Sequence, residues 1–365
     1  MSQKKIILRT FLIIFILILG DFTASKIYNK FFREFYPIGD GREQNKFYHH
    51  GLKKNVNTKE SNPLFGYSSH KLISNSLGFR DKTNRKISNV VNNKRIVFLG
   101  DSFVEGVLLN YEDTFVGIID KELKKKKIEV LNAGVSSYSP IIYYNKIKKN
   151  LENGLKFDEL ILFIDISDIE DEAIHYTLND KNEIISRIKA PENQVHQKNF
   201  KESLKKNYKG LYATSRFLSY KFNLNNDFLR FVTSDKYKRD KWTINNSVYK
   251  EYQNGIENSL YYINLLKVLC DKNNIKLTIA VYPWPTQIYY NDLNSKIISI
   301  FGNFSKMNSI EFINFFPLFI NENDNEKKRY NTIKKYYIYE DVHFNKKGNR
   351  LIAEHFLNIY KKHLD

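Results

Sequence analysis

Five short apolar runs punctuate the chain, and the segments between them carry apolar residues three and four positions apart. The runs are KRIVFLG (94–100), IEVLNAG (128–134), ELILFIDIS (159–167), residues 275–282 within IKLTIAVYPWP, and residues 311–315 within IEFINFFPLF. Helical spacing is plain over 111–126, where Phe115, Ile118, Ile119 and Leu123 recur, and again over 141–151, 249–271 and 296–307. It returns over 345–362, with Leu351, Ile352, His355, Phe356 and Ile359 on or near one face. Strands alternating with helices predict an α/β fold with a parallel sheet and helices on both faces. The strands read as unbroken apolar runs rather than alternating ones, as strands covered on both sides do.

Two regions break the rhythm. Residues 172–246 are charged, aromatic and interrupted; they predict helices, 203–222 among them, and no clear parallel strand. They read as an insertion over one edge or mouth of the sheet. Residues 25–93 are polar and aromatic, and the turn residues within FGYSSHKLISNSLGFRD (65–81) predict a hairpin packed on the main domain. The chain thus divides into residues 1–24, an extension over 25–93, and an α/β domain over 94–365 with its insertion at about 172–246.

The first segment reads MSQKKIILRTFLIIFILILGDFTASK. Lys4, Lys5 and Arg9 precede an apolar run over 11–20, the pattern of an export signal. The run is short for a membrane span of about 20 residues, but Ile6 to Leu8 lengthen it if Arg9 reaches to the interface. No clean small-x-small cleavage site follows, so an uncleaved anchor is expected rather than a removed signal; Lys4 and Lys5 argue against a buried core helix. Positive flanks stay in the cytoplasm. The expected location is therefore single-pass and membrane-anchored, with the remaining chain on the extracytoplasmic side of a bacterial cell.

Composition narrows the partners. Of 365 residues, 42% are hydrophobic and 27% charged, which is the globular range. Cys270 is the single cysteine, so neither an intramolecular disulfide nor a cysteine-based zinc cluster can form. His49, His50, His70, His175, His196 and His363 show no ligand spacing with acidic partners, and neither a metal nor another cofactor is expected. The net charge is +18, but the basic residues are spread along the chain, and the densest run, residues 124–127, follows a helical segment where cations favour the dipole. No nucleic-acid motif is present, and no nucleic-acid partner is expected.

Candidate chemistry gathers at the carboxyl ends of the predicted strands, where open parallel sheets bind ligands. Ser102 follows the first strand, Asn132-Ala133-Gly134 the second, and Asp165, Ser167 and Asp168 the third. YEDVHFNKKGN (339–349) precedes the closing helix. A serine nucleophile needs a base, and a base of pKa near neutrality suits it. His343 is that candidate, with Asp341 or Glu340 to orient its ring. The backbone N–H groups of Ser102 and Gly134, with a donor at Ser167, are candidates for an oxyanion hole. Ser102 as a mere helix cap is the alternative. Asp101 reads as a structural hydrogen-bonder, and Trp242 and Trp284 as packing residues, although Trp284 follows a strand and could line the mouth of the site.

At these residues the chain resembles the SGNH, or GDSL-type, hydrolases. GDSFVEG (100–106) is similar to the first block of that family, LNAGVSSYSP (131–140) to its second, and EDVHFNKKG (340–348) to its last. SNSLGFRD (74–81) looks like the lead-in segment of envelope members. The resemblance covers roughly 94–174 and 249–365 and implies a flavodoxin-like three-layer sheet, Ser102 as nucleophile, His343 as base, and Gly134 in the oxyanion hole. Two departures stand out. Ser167 occupies the place where the third block carries an asparagine donor, and losing one such donor costs about 10²–10³ in rate. The family's acid usually lies three residues before the histidine, at Glu340 here. Asp341 lies two before, a spacing that resembles envelope polysaccharide acetyltransferases, and Asp341 is preferred.

The expected activity is serine esterase chemistry through an acyl-enzyme, acting on an acyl, most simply acetyl, ester. The family and the location imply an acylated cell-envelope carbohydrate or a small ester as substrate. O-acyl transfer to a sugar hydroxyl, or a catalytically inactive glycan-binding module, are the alternatives.

Overall fold

The computed structural model describes residues 3–31, 41–62, 67–186, 207–212, 214–215, 238–338 and 341–362. Two units are resolved: residues 1–40, 60–69 and 189–226 form one, and residues 41–59, 70–188 and 227–365 the other.

The second unit is built on five strands: β1 (Arg95–Leu99), β2 (Glu129–Asn132), β3 (Glu159–Ile164), β4 (Lys276–Val281) and β5 (Glu311–Asn314). Each adjacent pair is parallel, and the order is β5-β4-β3-β1-β2. This is the flavodoxin-like 2-1-3-4-5 order, whose direction of winding reverses between β1 and β3. Every residue of β1 and β3 is buried, as continuous apolar runs require. Each strand opens on a charged residue: Arg95, Glu129, Glu159, Lys276 and Glu311.

The first unit contains the amino-terminal helix α1 (Gln3–Phe31). Its stretch Lys4–Ile27, of mean hydropathy 2.3, is long and apolar enough to cross a membrane. At 1.5 Å per residue it spans about 36 Å, against a hydrocarbon core of about 30 Å.

After β1 come a single turn, α2 (Ser102–Glu105), and α3 (Phe115–Lys124); α4 (Pro140–Glu152) links β2 to β3. The helix α5 (Gln253–Lys272) leads into β4, α6 (Lys296–Met307) joins β4 to β5, and α7 (Glu326–Tyr336) and α8 (Lys346–Lys361) close the chain. Right-handed crossovers place helices on opposite faces according to the direction of winding. Accordingly α3 packs on α8 and α4 on α5. Phe98 meets Phe115 of α3 and Phe356 of α8, and Phe163 meets Phe115, with centroid separations of 4.8–6.5 Å. Each such side chain, fully buried, contributes about 1.5–3 kcal/mol.

Local chemistry sets the helix starts. Thr114 caps α3 by accepting the Gly117 N–H at 3.0 Å. Asn345 caps α8 by accepting the N–H groups of Lys347 and Gly348. The lysine run after α3 is exposed, as expected of a helix end. The region read as a hairpin within 65–81 is arranged differently: Tyr67–Ile73 pairs with the earlier strand Asn57–Asn62, and a turn closes the bridge Ser74–Arg80. Arg80 then bridges to Asn132 of β2. In the insertion, Tyr176–Leu178 and Ile184–Ser186 form a small antiparallel ribbon; the helix expected over 203–222 lies mostly outside the described residues.

Candidate active site

The site forms where β1 and β3 end side by side. Leu99 and Gly100 bring the chain out of β1, and the Asp101 carboxylate caps α2 by accepting the Phe103 N–H at 2.9 Å. Asp101 is thus the cap, and Ser102 is the first residue of the turn. A first-turn N–H has no acceptor within its own helix, so the Ser102 N–H stands ready for one from outside. The approach of the next loop is close. A Cβ on Gly134 would lie 2.6 Å from Val104 Cβ and 2.7 Å from the Glu105 nitrogen, so only glycine lets the two backbones meet.

His343 arrives from the loop before α8. Its Nε2 lies 2.8 Å from Ser102 Oγ, although 241 residues separate the two. Its Nδ1 is hydrogen-bonded to Asp341 Oδ1, which also accepts the His343 backbone N–H at 2.9 Å. The sequence-predicted Ser102, His343 and Asp341 therefore stand in one hydrogen-bonded chain; Glu340 lies outside the described residues. The side chains of His343 and Asp341 remain 19% and 18% exposed, which leaves the serine reachable from solvent. The Phe103 ring, 4.9 Å from the imidazole centroid, supports it from below. Burial acts to lower the His343 pKa, but the Asp341 charge and hydrogen bond outweigh it, aided by Asp101 and Asp165, and the net shift is upward.

Behind the serine lies a set of buried carboxylates. Asp101, Asp165 and Asp168 approach one another within 4.8 Å. Donors already surround them. Tyr282 Oη donates to Asp165 Oδ2 at 2.9 Å, Trp284 Nε1 donates to the same oxygen at 2.8 Å, and Tyr143 Oη lies 3.0 and 3.1 Å from the two oxygens of Asp168. Burial, then Asp165, push the Asp101 carboxyl up to about 7 against the pull of the Phe103 N–H. Burial, Asp165 and Asp101 likewise hold Asp168 well above the usual carboxylate range.

The three expected oxyanion donors are not alike. The Gly134 N–H donates to Asn132 Oδ1 at 3.0 Å. The Ser167 hydroxyl and N–H both donate to Asp165 Oδ1. In this geometry the Ser167 proton is committed to the neighbouring carboxylate, because a short hydroxyl two residues away reaches it before it reaches anything else. Trp242 and Trp284 are buried; the former donates to the Ile166 carbonyl, and the latter holds Asp165 rather than lining an open mouth.

The pairings of three supports escape a reading of the sequence. Glu105 binds Arg42 with both oxygens, at 2.6 and 3.0 Å, and accepts the Ser136 N–H and hydroxyl. Burial would raise its pKa, but Arg42 wins and brings it down to about 2. This bracket ties α2 to the Gly134 loop. Asn132 fastens the same loop by donating to the Val104 carbonyl at 2.7 Å. Asn349 accepts the Phe115 N–H and donates to the Phe344 carbonyl, which seats the histidine loop on α3. A glutamate inside GDSFVEG and an asparagine just after the histidine block are visible signals, but their partners lie 63 and 234 residues away.

No family model matches the chain, and no curated protein matches it in sequence. Among solved structures it is similar to the psychrotrophic esterase EstA from Pseudoalteromonas (14% identity, 74% of this chain and 99% of that one, TM-score 0.41). It is similar also to a GDSL-like lipase from Bacteroides thetaiotaomicron (12%, 76% and 92%, 0.38) and to a putative acylhydrolase from Bacteroides fragilis (12%, 76% and 90%, 0.37). The chain's own geometry shows a flavodoxin-like sheet with a serine, a histidine and an aspartate in hydrogen-bond contact at its switch point.

Proposed function

We propose that the protein is a membrane-anchored serine esterase of the SGNH type, with Ser102 as nucleophile, His343 as general base and Asp341 as the acid that orients it. The observation that carries the reading is the chain Asp341–His343–Ser102 at the mouth of a parallel sheet. Asp341 holds the proton on Nδ1 and leaves Nε2 as acceptor for the serine proton. Oγ attacks the ester carbonyl, and the tetrahedral oxyanion takes the N–H groups of Ser102 and Gly134, the latter released from Asn132. Collapse breaks the ester C–O bond, His343 returns the proton to the departing alcohol, and an acyl-Ser102 remains. Water, deprotonated by the same imidazole, hydrolyses it. Ser167 would join the hole once its proton turns from Asp165.

The substrate class we assign is an acyl ester, acetyl in its simplest form, on a cell-envelope carbohydrate. Lys4, Lys5 and Arg9 flanking the apolar helix support an extracytoplasmic domain. Transfer of the acyl group to a sugar hydroxyl differs only in the acceptor of the second half-reaction, and the Asp341 spacing favours it as the second reading.

A fluorophosphonate probe tests the proposal on the full chain in detergent. Wild type labels, and Ser102→Ala and His343→Ala do not. A folded wild type that takes no label overturns the esterase reading and leaves the glycan-binding one.

A further inference from the structure

Ser102 Oγ has two partners: His343 Nε2 at 2.8 Å and Asp101 Oδ2 at 3.0 Å. A hydroxyl has one proton. With Nδ1 protonated toward Asp341, neutral His343 presents a bare Nε2, and an ionised Asp101 presents only acceptors. Both contacts can then be hydrogen bonds only if a second proton is present, on His343 or on Asp101. On His343 it disables the base, since Nε2–H donates to the serine and the serine donates to Asp101. On Asp101 it completes a productive line, in which Oδ2–H donates to Oγ and the serine O–H donates to Nε2.

We propose that Asp101 is a second catalytic carboxyl, and that Ser102 is reactive only while Asp101 carries a proton. When Asp101 is ionised, the charge-assisted bond is the stronger one, and the serine proton turns to the carboxylate and away from His343. This deepens the proposed function and rests on Ser102 being the nucleophile.

The surroundings hold Asp101 in place and favour its proton. Its Oδ1 is fixed by the cap to Phe103, so Oδ2 cannot swing away from Ser102. The groups that face it are Asp165 and Asp168 from the end of β3, His343 from the last loop, Tyr143 from α4, and Tyr282 from the end of β4. Two of these are carboxyls and two are phenols, and no lysine or arginine is among them. Tyr282 Oη lies 3.3 Å from Asp101 Oδ1 but has Asp165 as its nearer acceptor. The direction of the Asp101 shift agrees with this arrangement.

The test is the pH dependence of the fluorophosphonate labelling rate, pH 5 to 9.5, on full-length wild type, Asp101→Asn and Asp165→Asn in detergent. Asparagine keeps the cap through its carbonyl and donates permanently from Nδ2, whatever the pH. Wild type should lose rate about tenfold per pH unit on an alkaline limb that Asp101→Asn, whatever its ceiling, lacks. Asp165→Asn removes the charge that most favours the Asp101 proton, so its limb should move to lower pH; this variant decides the matter if Asp101→Asn fails to fold. An alkaline limb unchanged in the folded variants, or absent from wild type, overturns the proposal while leaving the esterase reading intact. A folded wild type that takes no label at any pH sinks both.

Discussion

The two ends of the central sheet treat charge in opposite ways. At the amino ends, acids have basic partners. Arg95 donates to Glu129 at 2.6 Å, Arg85 bridges Glu129 and Asp81, Lys94 meets Glu159, and Lys276 meets Glu311. At the carboxyl ends, Asp101, Asp165 and Asp168 are buried together with tyrosines, a tryptophan and a serine, and the Asp165 charge pushes both Asp101 and Asp168 upward. The first arrangement satisfies ions and holds the fold. The second raises Asp101 and Asp168 above the ordinary carboxylate range. Placed on the same five strands, the contrast teaches that one end was free to settle while the other was kept away from its electrostatic minimum, as reactive sites tend to be.

That contrast can be broken at either end. The largest effect belongs to Ser102→Ala, which should lower kcat for ester hydrolysis by on the order of 10⁶ with little change in melting temperature. Asp341→Asn should cost about 10⁴ in kcat by releasing the imidazole tautomer. It should also move the acid limb of the profile. If His343 is the base it must be neutral to act, and its pKa is shifted upward from the ordinary 6.5, so the acid limb of the wild-type profile has its midpoint above that value. Without Asp341, burial dominates and the limb shifts to lower pH.

At the amino end the expected signature is reversed. Arg95 is fully buried and also donates to the carbonyls of Ser88, Asn89 and Lys156. Arg95→Met should cost about 3–5 kcal/mol in a urea melt and leave kcat per folded molecule unchanged. Lys276→Ala removes a pair whose side chains are 44% and 26% exposed, and should cost less than about 1 kcal/mol. A large loss of kcat in Arg95→Met would erase the division between the two ends.

Much of the frame is legible in the chain because it depends on local pattern. The five apolar runs are the five strands, and Ser102, His343 and Asp341 are marked by their places at the ends of periodic segments. The hidden part depends on long-range pairing. The bracket between Arg42 and Glu105 joins an extension to the first turn after β1, and nothing in either segment names the other. The same holds for Tyr282 and Trp284, which converge on Asp165 from more than a hundred residues away. Helix α7 escapes notice because its sequence, EKKRYNTIKKY, buries only Ile333 and shows no apolar stripe. The strand Tyr67–Ile73 has its partner before it rather than after, and alternation alone does not say which.

The 241 residues between the serine and its histidine also set an order in time. A ribosome adding about 5–20 residues per second needs roughly 10–50 s to travel from Ser102 to His343. Throughout that interval the nascent chain owns a serine with no base beside it. Even when His343 has emerged, its loop waits for Asn349 to reach the Phe115 amide on a helix made 234 residues earlier. On the proposed mechanism the growing polypeptide is therefore inert, and chemistry begins only when the newest segment docks on the oldest part of the sheet.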